Sequence, residues 1–105
     1  FALHPDQVEA QMEGSIVFAL SAALWGRVEI VGGAVQQGNF DDYQVMRMPQ
    51  MPQINVEIIP SSDAPQGVGE PAVPPLAPAL TEAIYQASGR RLHSLPVALA
   101  GIDVQ

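Results

Sequence analysis

The sequence contains no cysteine and no lysine, and it has only two histidines. Without cysteine, these 105 residues can form no disulfide, no thiolate-ligated zinc or iron–sulfur site and no thiol nucleophile. His4 and His93 are far apart in sequence, so we expect no metal ligands from the side chains of this stretch.

Charge is scarce and mostly negative. The chain has four arginines and eleven acidic residues, which give a formal net charge of −7, and only 14% of its residues are charged. The negative charge disfavours binding to nucleic acid or to an anionic membrane. Small independent domains usually carry about 25% charged residues to cover their large relative surface. We therefore expect a fragment of a larger domain, with much of its surface buried elsewhere.

A helix is predicted for residues 6–25. Apolar residues recur at every fourth position, and acids occupy the first turns, where the helix dipole favours negative charge. The apolar positions are Val8, Met12, Ile16, Leu20 and Leu24. The second half is apolar on nearly every face, so we expect protein to enclose it. Its run from Ile16 to Trp25 is about half of the roughly 20 residues that a membrane span needs.

Short β-strands are predicted after this helix. Residues 27–31 and 34–37 flank Gly32 and Gly33, which is typical of a β-hairpin with a two-residue turn. Residues 53–59 alternate, with Ile54, Val56 and Ile58 on one face, and this pattern predicts a third strand.

The second half of the chain is rich in proline. Eight of the ten prolines lie between residues 49 and 78, but apolar residues persist there, so we expect an ordered, proline-stiffened loop. A final helix is predicted from Leu76, with Leu76, Leu80, Ala83, Ile84 and Ala87 on one face. Gly89 is predicted to cap it, with Arg90 and Arg91 at the negative end of the dipole. The predicted fold class is α+β.

The candidate chemistry lies just before this last helix, in Gly67-Val68-Gly69-Glu70-Pro71. Glycines allow the backbone to approach a ligand closely, and free amides near a helix start favour an anionic ligand. Glu70, held between Gly69 and Pro71, is restricted in the way that a positioned base requires. A surface turn with an exposed acid is the more frequent interpretation of so short a motif.

The longer stretch around this motif is more specific than the motif alone. Gly67-Val68-Gly69-Glu70-Pro71 with Pro74-Pro75-Leu76-Ala77-Pro78-Ala79-Leu80 resembles the C-terminal end of the molybdopterin-binding large subunit of the molybdenum hydroxylases, the xanthine dehydrogenase and aldehyde oxidoreductase family. Residues 5–14 (PDQVEAQMEG) match a second landmark of this family at the expected distance upstream. Asn39-Phe40-Asp41-Asp42-Tyr43 with Arg47 resembles the bacterial branch that holds isoquinoline oxidoreductase β subunits and membrane-associated aldehyde dehydrogenases. The resemblance covers nearly all of residues 1–100.

The resemblance implies that residues 1–105 are a C-terminal fragment of the molybdopterin-binding domain. It gives Glu70 the role of general base in the hydroxylation of an aldehyde or an N-heteroaromatic substrate with oxygen from water. Gln11 would hydrogen-bond the molybdenum–pterin group, and the backbone at Val68 and Gly69 would line the same site. We expect an enclosed apolar setting around Glu70.

The resemblance also implies a cofactor and partners. The metal would be held by the dithiolene sulfurs of a pterin, here in the cytosine dinucleotide form, so the protein supplies no metal ligand. The partners would be the remainder of the molybdenum subunit, an iron–sulfur subunit and a cytochrome c subunit. The family favours the bacterial periplasm or the periplasmic face of the inner membrane, with the cytoplasm as the alternative.

A second hypothesis assigns the chain no catalytic activity. In it, the chain is an acidic α+β module that binds a partner protein through its proline-rich loop. The spacings Pro71-x-x-Pro74 and Pro75-x-x-Pro78 are compatible with polyproline recognition, although no basic residue adjoins them.

Overall fold

The computed structural model describes residues 1–102. Helix α1 (Pro5–Trp25) is followed by a hairpin of β1 (Ile30–Val31) and β2 (Ala34–Val35), then by a 3-10 turn (Met48–Gln50), helix α2 (Val73–Ser88) and a second 3-10 helix (Val97–Ala100). This order of elements confirms the predicted α+β arrangement of a helix, a hairpin and a C-terminal helix. No helix within residues 1–102 is both long enough and apolar enough to cross a membrane.

Helix α1 begins at Pro5, one residue before the predicted start. Proline suits a first turn because the missing N–H has no helical acceptor there. The helix ends where the Gly26 N–H donates to the Ala22 carbonyl at 2.9 Å. The residues of the predicted apolar row are all half-buried, which confirms the spacing by four (Val8, Met12, Ile16, Leu20 and Leu24).

The most buried face of α1 is a row of small residues that the sequence analysis did not single out. Ser15, Ala19 and Ala23 are 5%, 7% and 3% exposed, and α1 packs against α2 and the second 3-10 helix. The Ser15 hydroxyl donates to the Met12 carbonyl at 2.9 Å, so this buried polar group is satisfied within the helix. Only part of the helix surface is covered by residues 1–102, and Phe18 on its second half is 70% exposed.

The hairpin turn forms as predicted. Gly32 and Gly33 have φ of 59° and 82°, and two positive φ values in succession match the type I′ turn that suits the twist of a hairpin. Ile30 pairs with Val35 and Val31 with Ala34 in antiparallel register. The strands are shorter than predicted, with two residues each.

The prediction of a third strand is wrong for the part of the chain that the structure describes. Ile54, Val56 and Ile58 are half-buried and their neighbours are exposed, so the alternation itself is present. Residues 53–59 nevertheless form no β-ladder. Periodicity specifies which side chains share a face, but it does not supply a hydrogen-bonding partner.

Helix α2 starts at Val73, three residues before the predicted start. Pro74 and Pro75 fit into its first turn, where their missing N–H groups break no helical bond. On the face that was predicted from the apolar spacing, Leu76, Leu80 and Ile84 are half-buried, whereas Ala83 and Ala87 are exposed.

The C-terminal cap of α2 is the predicted glycine. Gly89 has φ of 76°, and its N–H donates to the Tyr85 carbonyl at 2.7 Å. The two arginines tie this end to neighbouring groups: Arg91 pairs with Glu82 at 2.9 Å and lies 3.7 Å from the centre of the Tyr85 ring, and Arg90 donates to the Ala100 carbonyl. The buried apolar residues within residues 1–102 are Ala19, Ala23, Pro96 and Val97, and of these Val97 is 0% exposed.

Candidate functional site

A cleft of about 680 Å³ lies between the first turns of α1 and residues 58–68. Gln11 and Val68, both predicted as site residues, line it. Apolar side chains such as Ile58 form part of its wall. An apolar cleft with a few polar groups has the character of a small-molecule site.

Gly69, another predicted site residue, lies beside Gln11 at the edge of this cleft. A Cβ built on Gly69 would lie 3.7 Å from the Gln11 Oε1 atom. The two sequence motifs are therefore adjacent in space, although one lies in α1 and the other precedes α2. The Gln11 side chain is exposed and takes part in no hydrogen bond within residues 1–102.

The backbone of the glycine loop offers free donors. None of the hydrogen bonds among residues 1–102 uses the N–H groups of residues 67–70. Gly69 in this loop lies beside the Gln11 side-chain amide, whose Oε1 atom is the nearest to it, so the loop backbone and a side-chain amide adjoin. Such an arrangement suits a ligand rich in acceptor atoms.

The start of α2 contributes less than its position suggests. The Val73 N–H donates to the Glu70 carbonyl at 3.0 Å, and Pro74 and Pro75 have no N–H. The expectation of free amides therefore holds for the loop, but the first turn of the helix has few donors left. The prolines that initiate α2 remove the groups that would bind an anion.

Glu70 lies at the end of the loop and is exposed. The expectation of an enclosed apolar setting is wrong for the described chain. Within residues 1–102, no hydrogen bond or ion pair involves the Glu70 carboxylate. Glu70 does not line the cleft, whereas its neighbour Val68 does.

Some residues of the cleft were missed by the sequence analysis. Gln7 lies one turn before Gln11 on α1, and Gln66 lies opposite on the loop. The spacing of four residues between Gln7 and Gln11 was the available signal, because it places both side chains on one helix face. Among residues 1–102, no three His, Asp or Glu side chains cluster in a way that could hold a metal ion.

The aromatic loop after the hairpin forms a separate, smaller cavity of about 320 Å³ lined by Phe40 and Tyr43. The Asp42 carboxylate folds this loop by accepting the N–H groups of Gly38 and Asn39, each at 3.0 Å. These hydrogen bonds, first that of Asn39 and then that of Gly38, lower the pKa of Asp42, because they stabilise its charged form.

The polyproline hypothesis fails on backbone conformation. Pro74, Pro75 and Pro78 lie inside helix α2. Recognition of a proline motif requires the extended polyproline II conformation, which a helix excludes. The two proline spacings are therefore a feature of an unusually proline-rich helix start.

No family model matches this chain, but several known proteins are similar to it over most of its length. The isoquinoline 1-oxidoreductase subunit beta of Brevundimonas diminuta is 43% identical over 93 residues, which cover 89% of this chain and 12% of that subunit. The membrane-bound aldehyde dehydrogenase (pyrroloquinoline-quinone) of Gluconacetobacter polyoxogenes is 37% identical over 98 residues, covering 93% of this chain and 13% of that protein.

The name of a third relative includes molybdenum. The xanthine dehydrogenase molybdenum-binding subunit of Escherichia coli O157:H7 is 30% identical over 102 residues, which cover 90% of this chain and 14% of that subunit. The chain thus spans roughly an eighth of the length of the curated relatives that it matches. Its similarity to all three covers about nine tenths of its length. The chain belongs to the molybdenum hydroxylase family of xanthine dehydrogenases and aldehyde oxidoreductases.

Proposed function

We propose that this chain is the C-terminal part of the molybdopterin-binding domain of a molybdenum-dependent oxidoreductase. The enzyme hydroxylates an aldehyde or an N-heteroaromatic compound with oxygen taken from water. The observation that carries the proposal is the approach of Gly69 to the Gln11 amide, which brings the two family motifs into one site.

The residues at this site fit the organic part of such a cofactor. A pterin dithiolene presents oxygen, nitrogen and sulfur atoms, and these need donors and close backbone approach rather than protein metal ligands. The free N–H groups of residues 67–70 and the unpaired amide of Gln11 are such donors. Gly69 has no side chain to keep a ligand away from the backbone.

Each of these residues has a distinct role in the proposal. Gln11 donates from its side-chain amide and fixes the orientation of the bound group, and the backbone of Val68 and Gly69 forms the adjoining wall. Glu70 accepts the proton of the water-derived oxygen as the new carbon–oxygen bond forms, while the C–H bond of that substrate carbon breaks and its hydrogen leaves with both electrons. The molybdenum–pterin group, when bound, would supply the redox centre that takes the two electrons.

The exposure of Glu70 bears on where the rest of the site lies. A base must be close to its proton donor, and shielding from water strengthens the electrostatic interactions between them. Because residues 1–102 leave Glu70 uncovered, we assign the opposite wall of the active site to the remainder of the molybdenum subunit. The substrate pocket would then be formed largely by residues outside this chain.

The names of the relatives give two alternatives for the cofactor. The Brevundimonas and Escherichia relatives are an isoquinoline oxidoreductase subunit and a molybdenum-binding subunit, and the Gluconacetobacter relative carries pyrroloquinoline quinone in its name. We favour molybdopterin in its cytosine dinucleotide form. An iron–sulfur subunit would receive the electrons, and a cytochrome c subunit could accept them in turn.

Two measurements test the proposal. Elemental analysis and cofactor extraction of the purified complex should give molybdenum and a pterin, whereas pyrroloquinoline quinone without molybdenum would contradict it. Replacement of Glu70 by glutamine, compared with the same replacement at Glu82, tests the assignment of the base. Glu82 is a matched control because it is an exposed glutamate on α2 whose ion pair with Arg91 lies on the surface.

A further inference from the structure

The cleft beside helix α1 holds two glutamines to which the proposed function gives no role. Gln7 and Gln66 both line the cleft, and Gln7 lies one turn before Gln11 on the same face of the helix. The side-chain amides of Gln7 and Gln66 take part in no hydrogen bond within residues 1–102, and both residues are exposed. Both amides are therefore available to a ligand in the cleft.

The position of Gln7 in the helix does not account for its side chain. Gln7 is the third residue of α1, where a glutamine side chain often accepts the backbone N–H of the capping residue. The capping residue here is His4, and that hydrogen bond does not form within residues 1–102. Only the backbone N–H of Gln7 bonds to His4, at 3.0 Å from its carbonyl oxygen. The amide of Gln7 thus faces the cleft without a local task.

The charge of the cleft restricts what it can bind. Among residues 1–102, no arginine lines it, His4 is the one lining side chain that can carry positive charge, and Asp63 adds a negative charge. The amino group of Phe1 is already held by the Asp63 carbonyl. Phosphate groups are bound by cationic side chains or by clustered backbone N–H groups. A neutral ring suits this cleft better, because apolar residues such as Val8 can pack against its faces.

A glutamine amide recognises a particular kind of ring edge. Its carbonyl accepts and its NH₂ group donates, so it can form two parallel hydrogen bonds with an edge that has a donor next to an acceptor. The pyrimidine half of a pterin has such edges, because it carries an amino group and a lactam. The cleft volume of about 680 Å³ is also that of an ordinary small-molecule pocket.

We propose that Gln7 and Gln66 are positioning residues that hold the amino–lactam edge of the pterin ring, one from helix α1 and the other from the loop before Gly67. This inference rests on the proposed function, which places the cofactor at Gln11 and Gly69 on the edge of the same cleft. It adds two contacts to the ring itself. The phosphates of the cofactor would be bound outside this cleft.

The test measures the loss of pterin from the purified full-length enzyme during dialysis. Gln7→Ala and Gln66→Ala should each lose pterin roughly tenfold faster than wild type, because each leaves polar atoms of the bound ring unpaired. Thermal unfolding of each variant should be unchanged, since neither amide has a protein partner within residues 1–102. Gln44→Ala is the matched control, because Gln44 is an exposed glutamine outside the cleft whose side chain also forms no hydrogen bond there.

Three results would overturn the inference. Equal pterin loss from the two cleft variants and from Gln44→Ala would remove Gln7 and Gln66 from the site but leave the proposed function standing, since the wild-type enzyme would still hold pterin and molybdenum. A Gln66→Lys enzyme that keeps its pterin longer than wild type would show that a phosphate, and not the ring edge, lies in the cleft. A wild-type enzyme without pterin would overturn the proposed function as well.

Discussion

Gly69 and Gln11 lie side by side, and a methyl group added at Gly69 would come to 3.7 Å from the Gln11 Oε1 atom. That distance is an ordinary van der Waals contact, and Gly69 is not among the glycines with positive φ. The protein itself therefore has room for alanine at this position. Any strong effect of the substitution must come from something that approaches the loop from outside.

We expect Gly69→Ala to leave the thermal unfolding of the large subunit nearly unchanged and to lower its molybdenum and pterin content several-fold. The reason is that a Cβ would obstruct the approach of the cofactor to the free amides of the loop. Gly38→Ala is the control, because Gly38 lies outside the glycine loop and a Cβ there would also meet a side-chain oxygen at an ordinary distance, 3.9 Å from the Asp42 Oδ2 atom. Equal cofactor content in the two variants would remove Gly69 from the site.

Gln11→Ala tests the side-chain donor. The amide is exposed and has no protein partner within residues 1–102, so its loss should not disturb the packing of α1. Cofactor retention should weaken by about 1 to 3 kcal/mol if the substitution leaves a buried cofactor atom unpaired. Equilibrium release of the pterin measures this.

Gln86→Ala is the matched control for that experiment. Gln86 is an exposed residue on α2, and the only hydrogen bond of its side-chain amide within residues 1–102 is donated to the Glu82 carboxylate, at 3.4 Å. Its replacement should leave cofactor retention unchanged. Equal retention in the Gln11 and Gln86 variants would show that Gln11 does not contact the cofactor.

The loop closed by Asp42 should respond to acid. The hydrogen bonds from Asn39 and Gly38 lower the pKa of Asp42 in the folded protein. A lowered pKa contributes stability that is present above the unfolded-state value and is lost as pH falls through the folded-state value. Asp42→Asn should therefore lower the midpoint of thermal unfolding at neutral pH, and the difference from wild type should shrink in acid. The effect should be small, because the group is exposed.

Asp41→Asn controls for the change of charge alone. Asp41 is an exposed neighbour with no hydrogen bond from its side chain within residues 1–102. If both variants shift the midpoint equally at neutral pH and in acid, the hydrogen bonds of Asp42 contribute nothing to the loop.

Local patterns were sufficient to predict several elements. The spacing by four gave α1, and the pair Gly32 and Gly33 gave the hairpin, because each rests on backbone chemistry that acts within a few residues. Gly89 was predicted as a cap for the same reason. Helix α2 starts earlier than its apolar spacing predicts, because the spacing begins only at Leu76 whereas a first turn also tolerates Pro74 and Pro75.

Features that depend on partners distant in sequence could not be predicted. The closest packing of α1 uses Ser15, Ala19 and Ala23, which are too small to stand out in an apolar pattern but allow α2 to approach. The third strand was predicted from the alternation of its side chains, and residues 53–59 form no β-ladder within residues 1–102 because alternation does not supply a hydrogen-bonding partner. In the candidate site, the resemblance predicts that Gln11 and Gly69 share a site, and the two residues lie side by side, whereas Glu70 is exposed among residues 1–102.

The role of Glu70 as the base is tested most directly by single-turnover reduction of the intact enzyme by its substrate. Glu70→Gln keeps the size of the side chain but removes its ability to accept a proton, so it should retain full molybdenum occupancy and slow reduction by about 10² to 10⁴-fold. Glu82→Gln should reduce at the wild-type rate. A fully loaded Glu70→Gln enzyme that is reduced within a few-fold of the wild-type rate would contradict the account.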